Sequence, residues 1–106
     1  MELTSKQRAY LKGLAMNMNP IFNIGKSSLT SEFTESINET FNNKELIKIN
    51  VLKNCIDDPR EIANVLAERT NSTIVQVIGK KIVLYKTARK EEDRKIILPK
   101  AKKKAD

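Results

Sequence analysis

The chain predicts an α/β fold: a compact two-layer domain with three helices and a mixed four-stranded sheet, in the order α-β-α-β-α-β-β. Three observations carry this expectation. Apolar residues recur at helical spacing in three segments, each opened by a capping residue. Residues 45–52 alternate with period two, as a strand requires. Two further β-rich runs are separated only by Gly79-Lys80, so they should pair antiparallel.

In chain order, Thr4 is followed three residues on by Gln7, a capping-box pattern in which hydroxyl and amide satisfy orphan N–H groups. Leu11, Leu14, Ala15 and Met18 then give a first helix over about residues 5–17, ended by Asn19-Pro20 because the residue before proline disfavours helix. Residues 21–24 form a short apolar run of strand type, broken by Gly25. Thr30 is the expected N-cap of a second helix over about residues 31–42, with Glu32 near its positive end and Phe33, Ile37 and Phe41 at steps of four. In the strand over residues 45–52, Ile47, Ile49 and Val51 share one face.

Asp58-Pro59-Arg60-Glu61 reads as N-cap, proline in the first turn and reciprocal glutamate. Ile62, Val65 and Leu66 supply the buried stripe of a third helix reaching about Arg69. Residues 73–78 and 82–86 are the hairpin strands, with glycine first in the turn, as type II′ demands. Ile96-Ile97-Leu98-Pro99 can dock on the globule. Residues 1–99 are thus read as one domain and 100–106 as a flexible basic tail with too little apolar content to fold.

Composition narrows the chemistry. The 106 residues include 20 Lys plus Arg, 13 Asp plus Glu and no His, for a formal charge of +7. Residues 1–43 are balanced, residues 44–86 carry +3 and residues 87–106 carry +4. A basic excess of this kind favours polyanions through counterion release. Without histidine there is no Ser-His or Cys-His pair and no His ligand for zinc. Cys55 stands alone, so no internal disulfide forms and no thiol cluster can hold a metal. No apolar run is long enough to span a bilayer, and Met1-Glu2-Leu3-Thr4-Ser5-Lys6 lacks the charged-then-apolar order of a secretory signal. A cytoplasmic protein with no cofactor, no metal, no membrane contact and no small-molecule substrate is expected.

The most informative stretch is Ile24-Gly25-Lys26-Ser27-Ser28-Leu29-Thr30, which joins a strand to a helix. Glycine lets the backbone turn tightly and approach a ligand, and successive N–H groups in such a turn can form an anion nest ahead of a helix N-terminus. Lys26 adds charge, and Ser27 and Ser28 add hydroxyl donors. It is not a nucleotide P-loop, whose second glycine precedes Lys-Ser or Lys-Thr at fixed spacing. An ordinary loop uses the same residues.

Residue neighbourhoods suggest a family. The run Thr4-Ser5-Lys6-Gln7-Arg8-Ala9-Tyr10-Leu11-Lys12-Gly13-Leu14-Ala15 resembles the opening helix of the YhbY-type proteins, stand-alone CRM domains (chloroplast RNA splicing and ribosome maturation). Further similar stretches are Ile24-Gly25-Lys26 with Leu29-Thr30, Glu45-Leu46-Ile47-Lys48, Gln76-Val77-Ile78-Gly79-Lys80 with Val83-Leu84-Tyr85, and Ile97-Leu98-Pro99. The resemblance implies a domain similar to the C-terminal domain of translation initiation factor three. It also implies a non-enzymatic RNA-binding role, with ribosomal RNA and the precursor large ribosomal subunit (pre-50S) as partners. The family's Gly-x-x-Gly recognition loop, akin to the backbone-clamping loop of KH domains, maps onto Gly25, Lys26, Ser27 and Ser28. Ser28 stands where the second glycine would be, and its hydroxyl can donate to a phosphate instead.

Lys6, Arg8 and Lys12 lie off the apolar stripe of the first helix and are read as extending the phosphate track; a solvated helix face is the plainer alternative. Lys80 and Lys81 are read as a soluble turn, and the terminal lysines as a nonspecific polyanion-binding arm. Capping accounts for Asp58 and Glu61, which with Asp57 form the one acidic cluster worth testing for a carboxylate-dependent nuclease. Phe33 and Phe41 are read as core, leaving too few aromatics for a base-stacking platform. Binding of another structured RNA, or a protein-interaction adaptor on the ribosome, is the alternative function.

Overall fold

The computed structural model describes residues 2–100. The chain forms α1 (Ser5–Met16), β1 (Phe22–Ile24), α2 (Ser31–Thr40), β2 (Leu46–Val51), α3 (Pro59–Thr70), β3 (Thr73–Ile78) and β4 (Lys81–Tyr85), then a short 3-10 turn, Glu91–Asp93. The strands make one sheet in the order β1-β2-β4-β3. β1 runs parallel to β2 through the α2 crossover, and β4 is antiparallel to both its neighbours. This is the expected α/β fold with three helices and a mixed four-stranded sheet. Of the expected basic tail, residues 100–106, only Lys100 is among the described residues, and it is exposed; the rest lies outside them.

Local signals explain most boundaries. The Thr4–Gln7 capping box is complete, with Gln7 N–H on the Thr4 hydroxyl and Thr4 N–H on the Gln7 amide, both at 3.1 Å. Thr30 caps α2 by accepting the Phe33 N–H at 3.0 Å. Gly79 has φ +57°, and the two-residue turn closes on the Ile78–Lys81 pair. At α3, Asp58 is the N-cap residue and Pro59 opens the helix, but Asp58 makes no side-chain capping bond. The reciprocal box expected from Asp58 and Glu61 is therefore absent. α3 ends on Asn71 in the left-handed region, a common helix stop that the sequence pattern did not single out.

Layering departs from the two-layer expectation, because the sheet is covered on both faces. Ile47, Ile49 and Val51 of β2, with Ile82 and Leu84 of β4, meet Ile37 and Phe41 from the α2 segment and Ile62 and Leu66 of α3. On the other face Leu46, Val75, Val83 and Tyr85 meet Leu11 and Ala15 of α1, flanked by Ile96 and Leu98. Period-two alternation in β2 and β4 builds both cores at once. Leu14 and Val65, read as parts of buried stripes, are partly exposed, at 39% and 37%. Each sits at the flank of its helix, so the buried stripe is narrower than the apolar pattern.

Two polar side chains anchor the α1 face. Lys48 Nζ donates to the Ala15 and Met18 carbonyls, at 3.0 and 3.1 Å, closing the C-terminal end of α1 where orphan carbonyls and the negative dipole end favour a cation. The buried Glu45 carboxylate accepts N–H groups from Ala88, Lys95 and Ile96 and fastens the C-terminal segment beside the sheet.

Candidate nucleic-acid interface

The 25–28 loop is built by the way β1 meets β2. Ile24 pairs with Val51, and the Leu52 N–H donates to the Ile24 carbonyl at 2.8 Å, which holds the two strand ends together. Gly25 then passes close to the β2–α3 connection. A Cβ at this position would lie 3.3 Å from Asn54 Oδ1 and 3.5 Å from Leu52 Cδ1, so a larger residue would require the exposed Asn54 side chain to shift by a few tenths of an ångström.

Beyond Gly25 the chain turns at once: the Ser28 N–H donates to the Gly25 carbonyl at 2.9 Å. Ser28 has φ +53°, the left-handed conformation that the second glycine of a Gly-x-x-Gly turn would adopt. The bend is therefore retained although the glycine is replaced. Lys26 and Ser27 are exposed, and Gly25 and Ser28 half-buried. Among the described residues, the backbone N–H groups of Lys26 and Ser27 have no acceptor. The turn thus presents two free amides, an ammonium and a hydroxyl to solvent, immediately ahead of the α2 N-terminus.

Other cations gather at the same end of the sheet. The parallel pairing places the β2–α3 connection, with exposed Lys53, beside the loop. The Val51 N–H donates to the Lys80 carbonyl at 2.7 Å, which brings the β3–β4 turn to the same edge. Lys26, Lys53 and Lys80 are all exposed there. Sequence reasoning gave Lys53 no role and read Lys80 as a soluble turn. The signal that would have found them is the crossover itself: in such a unit the loops after parallel strands share one end of the sheet.

The α1 cations are placed differently. Lys6 and Lys12 are exposed. Arg8 is half-buried, and one guanidinium nitrogen donates to the Ile74 and Val75 carbonyls at 2.6 and 2.7 Å. The pairing of β3 with β4 slips between Ile74 and Gln76, and Arg8 binds at this bulge. Arg8 thus docks α1 on β3, so it is not the free surface cation that the helix pattern suggested. α1 packs on the face opposite α2, with its main contacts on β3 and β2. Among the described residues, no hydrogen bond joins α1 to the 25–28 loop.

Between the loop and the start of α3 lies a groove of about 350 Å³, lined by Ser27, Ser28, Leu29, Asp57, Glu61, Ile62 and Val65. Asp57 and Glu61 are exposed on its rim. Among the described residues no group of three or more His, Cys, Asp or Glu is arranged to hold a metal ion. Cys55 is buried, its thiol directed toward the Asp57 carbonyl at 3.9 Å. No helix among the described residues is long and apolar enough to cross a membrane.

Comparison with known proteins agrees with this architecture. Residues 3–86 match the family model of the CRS1/YhbY (CRM) domain. The chain is 39% identical over 97 residues to the Bacillus subtilis protein named "Probable RNA-binding protein YqeI", covering 92% of this chain and 99% of that one. It is 37% identical over 97 residues to a Haemophilus influenzae protein named "RNA-binding protein", covering 92% and 95%. The solution structure of the hypothetical protein SAV1595 from Staphylococcus aureus superposes with a TM-score of 0.76 at 45% identity, covering 92% of this chain and all of that one.

Proposed function

The chain belongs to the CRS1/YhbY (CRM) domain family, and from that premise we propose that it is a non-enzymatic RNA-binding protein that grips the sugar-phosphate backbone of ribosomal RNA during large-subunit assembly in the cytoplasm. One observation carries this reading: Ser28 holds φ +53° and its N–H closes on the Gly25 carbonyl, so a tight left-handed bend forms at the place of the second glycine while Lys26 and Ser27 stay open to solvent. The names of two relatives support RNA as the ligand class. Lys26 supplies the charge, Ser27 and Ser28 supply hydroxyl donors, and the Lys26 and Ser27 amides face the phosphate oxygens. Exposed Lys6 and Lys12 widen the footprint on a second face, with Arg8 holding their helix in place. Contacts of this type position RNA and carry little base information.

Titration with fragmented large-subunit ribosomal RNA over a salt series tests the mechanism. About four neutralised phosphates give a log–log slope of roughly −3 to −4. Lys26→Glu should abolish binding with the fold intact. Unchanged binding by that variant would favour a protein-interaction adaptor instead. Crosslinking in cells should enrich precursor large-subunit RNA; recovery of messenger or transfer RNA would move the site of action elsewhere. Labelled RNA incubated with the protein and magnesium should stay full length, because Asp57, Asp58 and Glu61 do not converge into a group of three that could hold a metal ion among the described residues.

A further inference from the structure

One row of the sheet is left uncovered beside the loop. Asn23 of β1 pairs with Asn50 of β2, Asn50 with Lys81 of β4, and Lys81 with Ile78 of β3. The four residues stand one per strand in a single line. Strand spacing makes that line about 14 Å long. Their sequence neighbours Ile24, Val51, Ile82 and Val77 point into the core beneath α2 and α3, so the row faces the α1 side. α1 does not reach it. The helix ends over Lys48, two residues before Asn50 on the same face, where Nζ holds the Ala15 and Met18 carbonyls. Asn23 is exposed, Asn50 and Lys81 are half-buried, and Ile78 is 62% exposed.

The side chains are wired in one direction. Lys81 Nζ donates to Asn50 Oδ1 at 3.1 Å, and Asn50 Nδ2 donates to Asn23 Oδ1 at 3.2 Å. Lysine has no acceptor, so Asn50 must turn its oxygen to Lys81 and its amide nitrogen to Asn23. Asn23 must in turn offer its oxygen and leave its NH2 group outward. Each amide oxygen already accepts a proton, while the unused protons of Asn23, Asn50 and Lys81 remain available. No carboxylate stands in the row. An array of donors carrying one positive charge complements oxygen acceptors on a polyanion. Ile78 offers apolar surface at the far end, suited to the carbon face of a ribose.

We infer that the Asn23–Asn50–Lys81 row is a second RNA-contact site, binding backbone oxygens of the strand that leaves the 25–28 loop. It rests on the RNA reading above and extends it. Asn23 lies two residues before Gly25, and Lys81 follows the turn whose Lys80 carbonyl holds Val51. A strand clamped at the loop can therefore fold over the end of the sheet onto the row.

The test uses the same fragmented ribosomal RNA with Asn50→Asp, Asn23→Ala and Lys81→Met, beside Lys26→Glu. Asn50→Asp keeps the shape and inserts a negative charge, and should weaken binding about tenfold, one charge-assisted hydrogen bond's worth. Lys81→Met should reduce the salt slope by about one. A readout on the unmodified protein guards against misfolded variants: acylation of Lys81 should be suppressed by RNA. If Lys26→Glu loses binding while the row variants bind like the parent and Lys81 reacts equally with and without RNA, the row is not a contact and the loop reading stands. If all four variants bind like the parent, neither the loop nor the row touches RNA, and both contact readings fail.

Discussion

Glu45 and Ile96 are joined by a 2.8 Å hydrogen bond from the Ile96 backbone N–H to the buried carboxylate. Lys95 N–H reaches the same oxygen at 2.7 Å, and Ala88 N–H and the Thr87 hydroxyl reach the other, at 2.9 and 3.4 Å. One side chain thus closes the segment after β4 into a loop and brings Ile96 and Leu98 against the α1 face. Burial pushes the Glu45 carboxyl up, but the N–H groups of Ala88, Ile96 and Lys95 and the Thr87 hydroxyl outweigh it, and it lies below the usual carboxylate range.

Because that pKa is lower folded than unfolded, the stabilisation is complete above the ordinary carboxylate range and is lost as pH falls through the folded value. Glu45→Gln should cost about 2 kcal/mol at neutral pH and flatten the acid side of the stability profile. Thermal unfolding from neutral pH downward measures both. A variant whose acid limb matches the parent would remove Glu45 from this role.

The strained bend yields a second expectation. Ser28 at φ +53° occupies a region that disfavours side chains, whereas glycine enters it freely. Ser28→Gly should raise stability by about 0.5–1 kcal/mol, with part of the relief offset by a looser unfolded chain. RNA affinity should change little if the amides of the turn dominate, and fall if the hydroxyl is a principal donor. Denaturant melts and a titration separate the two effects.

Arg8 and Lys12 separate structure from surface on one helix. Arg8→Met leaves two strand carbonyls without their charged donor and should cost about 2–3 kcal/mol. Lys12→Gln should stay within about 0.5 kcal/mol of the parent. If Lys12 touches a phosphate, the same change should shrink the salt slope by roughly 0.7–0.9. A stability loss at Lys12 equal to that at Arg8 would contradict this division.

Much of the fold was legible because its signals are local. The Thr4–Gln7 box, the Thr30 cap and the glycine-first turn at Gly79 each depend on residues within four of one another. The sidedness of α1 was not legible: period-two alternation says that a strand has two faces, not which helix covers each. Arg8 and Glu45 were unreadable for a related reason, since their partners lie 66 and 51 residues away. Capping at Asp58 failed although its motif was present, because Pro59 and the acidic residues fit the pattern without making the bond. Within the candidate site, the 25–28 turn could be found from its own residues. Lys53 and the Asn23–Asn50–Lys81 row could not, because only the register of three strands assembles them.

The bulge where Arg8 meets β3 bears on assembly as well as on packing. β3 forms one margin of the sheet, the position at which a foreign strand could add itself. An irregular margin whose Ile74 and Val75 acceptors are already occupied makes a poor template, so the guanidinium that seats a helix also guards the protein against polymerising through its own sheet.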